Sequence, residues 1–449
     1  MAALAGATAA LAAAAACGSA AGSGRSSPAP LRPPAPAYAV GTLTATVVDT
    51  SRPTPAWGPS PAEPTRTLVT TIWYPATGAR AGAPRPGAAP DRRGAPYPLV
   101  VFGHGLGATP QEYEPLLSAW AAAGFVVAAP RFPLSSADTP GGPDGGDVGN
   151  QPADMSAVIT AVLRARGPTL AVLSGLVDPR EVGAAGHSNG AITTLGLVGD
   201  TCCLDPRVKA AVVMAGTTEG FPSGRYVLAT APPLLLVHGT DDDLVPYRDA
   251  VIVFNQARGP KGLLTIEGGS HESAAAFDPR SSASVIRTTI DFFDVYLRHR
   301  TDALARLETD GRAGVTRLVF VPTKGAATTL AVPALPVVHL RASVMPDTDL
   351  ANGQTVTVRW SGYTPGKVVN VLECSHVDLA TADSSGCDFS NAEILHPDPT
   401  GAGSLTMRVV TGPIGTGVCD AQHSCVVVVN DDSSTAPSFS RELPVTFAP

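Results

Sequence analysis

The pentapeptide GHSNG at 186–190 is the segment whose residue types and spacing point most directly to chemistry. It fits the pattern G-x-S-x-G, in which a serine on a sharp turn between a strand and a helix acts as a nucleophile. An apolar run at 182–186 predicts the strand, and residues 190–198 predict the helix. Glycines suit both ends because a Cβ there would crowd the neighbouring strand or helix. We therefore expect Ser188 to attack a carbonyl carbon.

An acid and a base follow Ser188 in the order that such a nucleophile requires. Three adjacent aspartates come after the apolar run 233–238, and the spacing HG-x-x-D-x-x-VP selects Asp242, with Asp241 as the alternative. His271 lies in a Gly/Ser-rich loop after the next apolar run. The intervals between the three residues leave room for a strand and a helix each. We predict that His271 is the general base and that Asp242 orients its imidazole.

Backbone amides are the predicted stabilisers of the negative charge that this attack creates on the carbonyl oxygen. The segment VFGHGLG at 101–107 ends a predicted strand, and the loop after that strand supplies one oxyanion donor in such folds. We predict the N–H groups of Leu106 and Asn189 as the two donors. We interpret His104 as a structural histidine behind this loop.

Short apolar runs that alternate with helix-length segments must position these residues. Such alternation predicts an α/β fold with a mostly parallel sheet that is covered on both faces. The runs lie at 67–74, 98–103, 125–129, 182–186, 209–214, 233–238 and 262–266, and the helical segments at 111–123, 154–166 and 283–298.

The pattern changes beyond residue 310. Residues 311–336 are mixed and predict a linker or a final edge element, whereas 337–449 predict an all-β sandwich. The alternating strands of that sandwich are expected at 354–360, 368–372, 404–410 and 425–429. The predicted domains are therefore a hydrolytic domain at 37–310 and a sandwich at 337–449.

The first 36 residues predict export and a flexible tether. Residues 1–16 are almost purely Ala, Leu and Gly, as in a secretory signal, and Cys17 follows three alanines. This arrangement resembles a bacterial lipobox, in which the cysteine is acylated and anchors the protein to a membrane. An ordinary signal peptide with an incidental cysteine is the alternative.

Composition limits the classes of partner. The 449 residues are 44% hydrophobic, enough for a sizeable core, and the formal net charge is −7 without a long basic run. Nucleic acid is therefore not an expected partner. We predict no cofactor, since the chemistry above needs none. We predict no metal site, since no His-x-His or Cys-x-x-Cys spacing lies near the adjacent Cys202 and Cys203.

Residues 37–310 resemble bacterial α/β-hydrolases related to platelet-activating-factor acetylhydrolase, dienelactone hydrolase and cutinases. The resemblance is carried by WYPA at 73–76, HG at 104–105, GNQ at 149–151, the serine motif and DPRV at 205–208. It implies acyl hydrolysis by Ser188. Dienelactone hydrolases use cysteine as the nucleophile, so the serine here argues against that activity.

The C-terminal region resembles the neocarzinostatin-type apoproteins, which are immunoglobulin-like sandwiches. The text NGQTVTV at 352–358, SGYTPG at 361–366 and VNVLEC at 369–374 carries the resemblance. Four cysteines allow three connectivities. Proximity in sequence and the family's disulfide placement favour Cys374–Cys387 and Cys419–Cys425. The adjacent Cys202 and Cys203 form either a vicinal disulfide or buried thiols.

The sequence thus predicts an exported serine hydrolase acting on small-molecule or lipid-like carboxylic esters, with esterase or lipase activity. Two alternatives remain. One is a binding protein of the cell envelope that sequesters an apolar ligand and carries an inactive hydrolase domain. The other is an amidase or peptidase that uses the same three residues.

Overall fold

The computed structural model describes residues 32–449, apart from 81, 219–220, 222–223, 312–313, 326–327, 334–339, 364–368, 378–385, 389–392, 396–399 and 431–439. Cys17 and the predicted export segment lie outside the described residues.

A ten-stranded sheet forms the centre of the larger part of the chain. Its strand order is β10-β9-β8-β7-β6-β4-β5-β2-β1-β3. The strands from β4 to β9 run parallel to one another, while β1, β2 and β10 run antiparallel to their inner neighbours. The bounds are β1 (Ala39–Asp49), β2 (Arg66–Ala76), β3 (Arg85–Pro86), β4 (Tyr97–Gly103), β5 (Val126–Pro130), β6 (Val177–His187), β7 (Val208–Met214), β8 (Leu234–Gly239), β9 (Lys261–Ile266) and β10 (Thr316–Val321).

Helices cover both faces of this sheet, as the near-continuous apolar strands predict. Apolar side chains of α2, α4 and α5 pack on one face, and those of α1, α6 and α7 pack on the other. The helices are α1 (Glu114–Ala123), α2 (Gln151–Arg164), α3 (Gly167–Leu170), α4 (Asn189–Gly199), α5 (Tyr247–Gln256), α6 (Ser282–Leu297) and α7 (Thr301–Leu307). The predicted α/β-hydrolase fold class is confirmed.

None of the helices in the described ranges is by itself long and apolar enough to cross a membrane. The bent pair Gly145–Arg164 and Gly167–Leu173 meets the length and composition criteria together.

The edge strand β10 corrects the linker predicted for 311–336. Residues Thr316–Val321 pair antiparallel with Lys261–Ile266, so the sheet extends into that range. The middle of β10 is only partly buried, as expected at a sheet edge, and its apolar run LVFV at 318–321 is only four residues long. Of the two interpretations of this segment, the final edge element is the one the structure has.

An all-β sandwich follows, as predicted. One sheet has the order β11-β12-β15 and the other β14-β13-β18-β19, with a small β16-β17 hairpin beside them. Apolar side chains from both sheets, among them Val358, Trp360 and Val429, form one buried cluster. The strands are β11 (Arg341–Met345), β12 (Gln354–Ser361), β13 (Val369–Cys374), β14 (Glu393–Leu395), β15 (Gly403–Val409), β16 (Gly412–Ile414), β17 (Gly417–Cys419), β18 (Cys425–Asn430) and β19 (Ser440–Val445).

Three disulfides join the six cysteines of the described part. Cys374–Cys387 and Cys419–Cys425 lie in the sandwich and confirm the predicted pairing. Cys202 and Cys203 are joined as a vicinal disulfide after α4, which decides between the two alternatives left open above.

Candidate active site

Ser188 occupies a strained turn between the end of β6 and the start of α4. Its φ of 56° and ψ of −123° lie outside the regions that L-residues ordinarily occupy. The Ser188 N–H donates to the carbonyl oxygen of Met214 at the end of β7, at 3.0 Å. A Cβ at Gly186 would collide with the Gly190 carbonyl, and one at Gly190 would collide with the Gly103 carbonyl. The two glycines therefore let the turn close tightly enough to present a serine.

His271 and Asp242 form a buried pair next to this turn. His271 begins the short 3₁₀ turn that follows β9, and Asp242 lies in the loop after β8. The His271 Nδ1 lies 2.8 Å and 3.0 Å from the two carboxylate oxygens of Asp242. Asp241, the alternative acid, is exposed and accepts a bond from its neighbour Thr240 instead. The geometry brings together the acid and base that the sequence motif selects.

The Asp242 carboxylate is held ionised by its hydrogen bonds. Burial alone would raise its pKa, but bonds from His238 and His271 hold the pKa well below the ordinary range. The N–H groups of Leu244 and Val245 also donate to Oδ1, at 2.9 Å and 2.8 Å. An ionised carboxylate facing Nδ1 keeps the proton of the neutral imidazole on that nitrogen and leaves Nε2 free to accept one.

The Nε2 atom of His271 is buried, and no described residue forms a hydrogen bond with it. Ser188 and His271 are thus not hydrogen-bonded in this structure. Catalytic hydrogen bonds are often long before substrate binds. His187, the residue before Ser188, lies against His271, with its Nε2 atom 3.1 Å from the His271 carbonyl oxygen and ring centroids 4.8 Å apart.

The predicted oxyanion donors belong to the serine turn and to the loop after β4. Asn189 is the first residue of α4, so its N–H has no partner within the helix. The Leu106 N–H makes no hydrogen bond to any described residue. Gly105 lies close beside the nucleophile, since a Cβ added to it would be 3.3 Å from the Ser188 Cβ.

His104 controls the direction of the Leu106 N–H. The Phe132 N–H donates to its Nε2 at 3.1 Å, so the proton of the neutral ring is on Nδ1, which lies 2.8 Å from the Gly105 carbonyl oxygen. Burial lowers the pKa of His104 to about 4, which keeps the ring neutral. The Gly105 C=O and the Leu106 N–H belong to one planar peptide. Holding the carbonyl therefore holds the N–H in the opposite direction, in line with the structural role expected for His104.

The start of α2 is tied to the preceding loop and to α4 by side chains that sequence reasoning did not single out. Gln151 donates to the Ser135 hydroxyl at 2.8 Å and accepts from Thr193, one turn after Ser188. Gln151 belongs to the GNQ motif, which is one of the segments that carry the resemblance to the α/β-hydrolases. The type and spacing of this residue alone do not indicate what it contacts. Tyr113 is another such residue, with its Oη 2.9 Å from the His187 Nδ1.

Two family models match parts of this chain. Residues 79–139 match "Platelet-activating factor acetylhydrolase, isoform II". Residues 342–447 match the "Neocarzinostatin family". The first range contains the predicted oxyanion loop, and the second nearly coincides with the sandwich.

Two individual proteins are similar to parts of this chain. Macromomycin from Streptomyces macromomyceticus is 37% identical over 116 residues, which cover 24% of this chain and 75% of that protein. A solved structure, the ferulic acid esterase from Streptomyces cinnamoneus, matches with a TM-score of 0.46 and 24% identity, over 63% of this chain and 96% of the esterase.

Proposed function

The chain belongs to the neocarzinostatin family through its C-terminal sandwich, and from its α/β-hydrolase part we propose that it is an exported serine hydrolase of carboxylic esters. The observation that carries the proposal is the buried His271–Asp242 pair next to Ser188 in its strained turn. The match to an acetylhydrolase family supports ester hydrolysis as the reaction class.

In the proposed first half-reaction, His271 Nε2 takes the proton of the Ser188 hydroxyl while Oγ attacks the ester carbonyl carbon. The carbonyl oxygen becomes negative and is stabilised by the N–H groups of Leu106 and Asn189. Losing one such donor typically costs about 3–4 kcal/mol of transition-state stabilisation. The tetrahedral intermediate then collapses, and His271 gives its proton to the departing alkoxide.

The second half-reaction repeats these steps with water. His271 removes a proton from a water molecule, which attacks the acyl group on Ser188, and the carboxylic acid leaves as the serine regains its proton. Asp242 stays ionised throughout and stabilises the imidazolium that forms twice in each cycle. Its depressed pKa supports this role, because the carboxylate remains charged through neutral and mildly acidic pH.

Hydrolysis of p-nitrophenyl esters of short and long chains tests the proposal. We expect the mature protein to release p-nitrophenol and Ser188→Ala to lose this activity while staying folded. An inactive wild type, or a Ser188→Ala variant as active as wild type, would contradict it. The chain-length profile separates esterase from lipase behaviour, and p-nitroanilide substrates test the amidase alternative.

A binding protein with an inactive hydrolase domain is the second candidate. It predicts saturable binding of an apolar probe without ester turnover, and equal behaviour of wild type and Ser188→Ala. The favourable pairing of His271 with Asp242 argues against it, since a protein that only binds has no need of an ionised carboxylate behind a free imidazole nitrogen.

We also propose that the chain is exported and anchored through Cys17. The three disulfides fit an oxidising compartment outside the cytosol. Palmitate labelling of cells that express wild type or Cys17→Ser tests the anchor. Label on wild type alone supports it, whereas export without label on either protein leaves plain secretion.

A further inference from the structure

The buried pair Tyr113 and His187 lies between the three backbone segments that carry the proposed machinery. Building on the proposed esterase function, we propose that these two side chains act as a positioning relay. In this relay, a chain of three hydrogen bonds sets the placement of the oxyanion loop, the serine turn and the general-base loop relative to one another.

The three bonds are continuous. The Gly105 N–H donates to the Tyr113 Oη at 3.1 Å, next to the predicted oxyanion donor. The Tyr113 Oη is 2.9 Å from the His187 Nδ1, one residue before the nucleophile. The His187 Nε2 is 3.1 Å from the carbonyl oxygen of His271 itself. The oxyanion loop thus supplies the first donor, the serine turn supplies His187, and the general-base loop supplies the last acceptor.

Only one arrangement of protons satisfies all three bonds. A carbonyl oxygen can only accept, so the His187 Nε2 carries the proton and donates to His271. The neutral ring then offers Nδ1 as an acceptor, and the Tyr113 hydroxyl donates to it. The tyrosine oxygen keeps a lone pair for the Gly105 N–H. Every group of the relay is therefore used, and the chain has a fixed direction.

The environment maintains this arrangement. Both side chains are 2% exposed, and the Tyr113 ring packs against Phe102 and Phe277 with centroids 4.8 Å and 5.4 Å away. Burial and the neighbouring His271 lower the pKa of His187 to about 3, so the ring stays neutral. Burial also raises the pKa of the Tyr113 hydroxyl above its ordinary value, so its proton is retained.

Catalytic groups lose much of their effect when they are misplaced by a fraction of an ångström to one ångström. Without the Tyr113 hydroxyl, the Gly105 N–H loses its partner and the serine turn loses its link to this loop, while the Gly105 carbonyl oxygen keeps its contacts with His104 and the Ala108 N–H. The oxyanion forms only in the transition state, so this loss should lower kcat and leave KM nearly unchanged.

The test compares Tyr113→Phe with Tyr74→Phe. Both variants keep the ring and remove one buried hydroxyl. The Tyr74 hydroxyl donates to the Ala88 carbonyl oxygen at 2.8 Å, outside the relay, so this variant controls for loss of stability. We expect a fall in kcat of about 10- to 100-fold for Tyr113→Phe, with KM within about twofold of wild type, and wild-type kcat for Tyr74→Phe. Equal kcat values for the two variants at a temperature where both are folded would overturn the relay.

A double-mutant cycle gives a second readout. His187→Phe breaks the same chain at its next member, so Tyr113→Phe/His187→Phe should be no slower than the worse single variant. Losses in kcat that multiply would contradict a shared relay. If each side chain instead supported only the structure of its own loop, the two losses in kcat would be independent and would multiply.

A fluorophosphonate separates failure of the relay from failure of the proposed function. Such a reagent transfers its phosphonyl group to the Ser188 oxygen with release of fluoride, and it requires no knowledge of the natural ester. Slower labelling of Tyr113→Phe than of Tyr74→Phe supports the relay even if the wild type turns over none of the esters tested. Equal labelling rates reject it, and a wild type that is never labelled rejects both proposals.

Discussion

Asp242 and Asp241 are neighbouring candidates for the acid that orients His271, and the hydrogen bond to His271 distinguishes them. Its carboxylate faces the His271 Nδ1, whereas the adjacent Asp241 points to solvent. Asp242→Asn keeps the shape but replaces an acceptor by a group that stabilises the wrong tautomer of His271. We expect kcat to fall by about 10⁴-fold, the size of the effect in the serine protease triad.

Asp241→Asn is the matched control for that change. It alters the same side chain one position earlier and should keep wild-type kcat. Steady-state kinetics on a p-nitrophenyl ester measures both variants. A large loss for Asp241→Asn together with wild-type kcat for Asp242→Asn would mean that the acid is assigned one residue out of register.

At this scale the sequence was informative because a local motif places the nucleophile. The strand–turn–helix pattern around Ser188 can be read from a few neighbouring residues, and so can the histidine in its glycine-rich loop. Tyr113 and His187 meet only in the folded chain, 74 residues apart. No spacing rule connects them, so their relation could not be derived from residue types.

At the scale of elements, an ion-pair cluster joins the β2 strand to the first turn of α2 and to the short turn before it. The Arg66 guanidinium bonds Asp154 and Asp147, and all three side chains are fully buried. Asp154→Asn should destabilise the protein by about 3–5 kcal/mol, because it leaves the charge of Arg66 buried and poorly paired. Urea unfolding measures this loss.

Asp138→Asn is the control for the cluster, since Asp138 pairs with Arg131 at the surface of the loop before that turn. Exposed pairs contribute about 0–1 kcal/mol, so this change should be nearly silent. Equal losses for the two variants would show that burial of the pair is not what holds the start of α2. A selective loss for Asp154→Asn would identify this cluster as the anchor of the start of α2, which Gln151 ties to α4.

Glu373 on β13 makes a second prediction at this scale. Burial and the nearby Asp388 raise its pKa to about 7, although its carboxylate accepts the Val410 N–H at 3.0 Å. The folded state therefore binds a proton that the unfolded chain has lost above pH 4.5, and stability falls as pH rises towards 7. Glu373→Gln stays neutral and keeps an acceptor.

We expect this variant to match wild type at pH 4 and to be more stable at pH 8, by on the order of 2 kcal/mol. The free energy of unfolding at the two pH values measures the difference. A gap between variant and wild type that is the same at both pH values would contradict the raised pKa.

The elements differ in how far their sequence specifies them. Central strands such as β8 are buried along their whole length, so a continuous apolar run predicts them. The edge strand β10 is partly exposed in its middle, and its apolar run of four residues lies within a segment of mixed composition that is also compatible with a linker. Edge position thus explains why the sequence of 311–336 predicts a linker where the structure has a strand.

At the scale of the whole molecule, the described residues form separate apolar cores. The core of the sandwich shares no side chain with the two cores that flank the large sheet. Parts that do not share a core need not unfold together. We therefore expect scanning calorimetry of the full chain to show two transitions.

Reductant should assign these transitions. The disulfides Cys374–Cys387 and Cys419–Cys425 close loops of 13 and 6 residues within the sandwich, and loss of the larger one alone is expected to cost about 2–3 kcal/mol. Cys202–Cys203 joins adjacent residues in the hydrolase part and restricts the unfolded chain very little. Reduction should thus lower one midpoint by several degrees and leave the other in place, and Cys202→Ser/Cys203→Ser should move neither. A single transition that shifts as a whole on reduction would mean that the two parts unfold as one cooperative unit. Esterase activity would then depend on the disulfides of the sandwich, although the sandwich contains none of Ser188, Asp242 and His271.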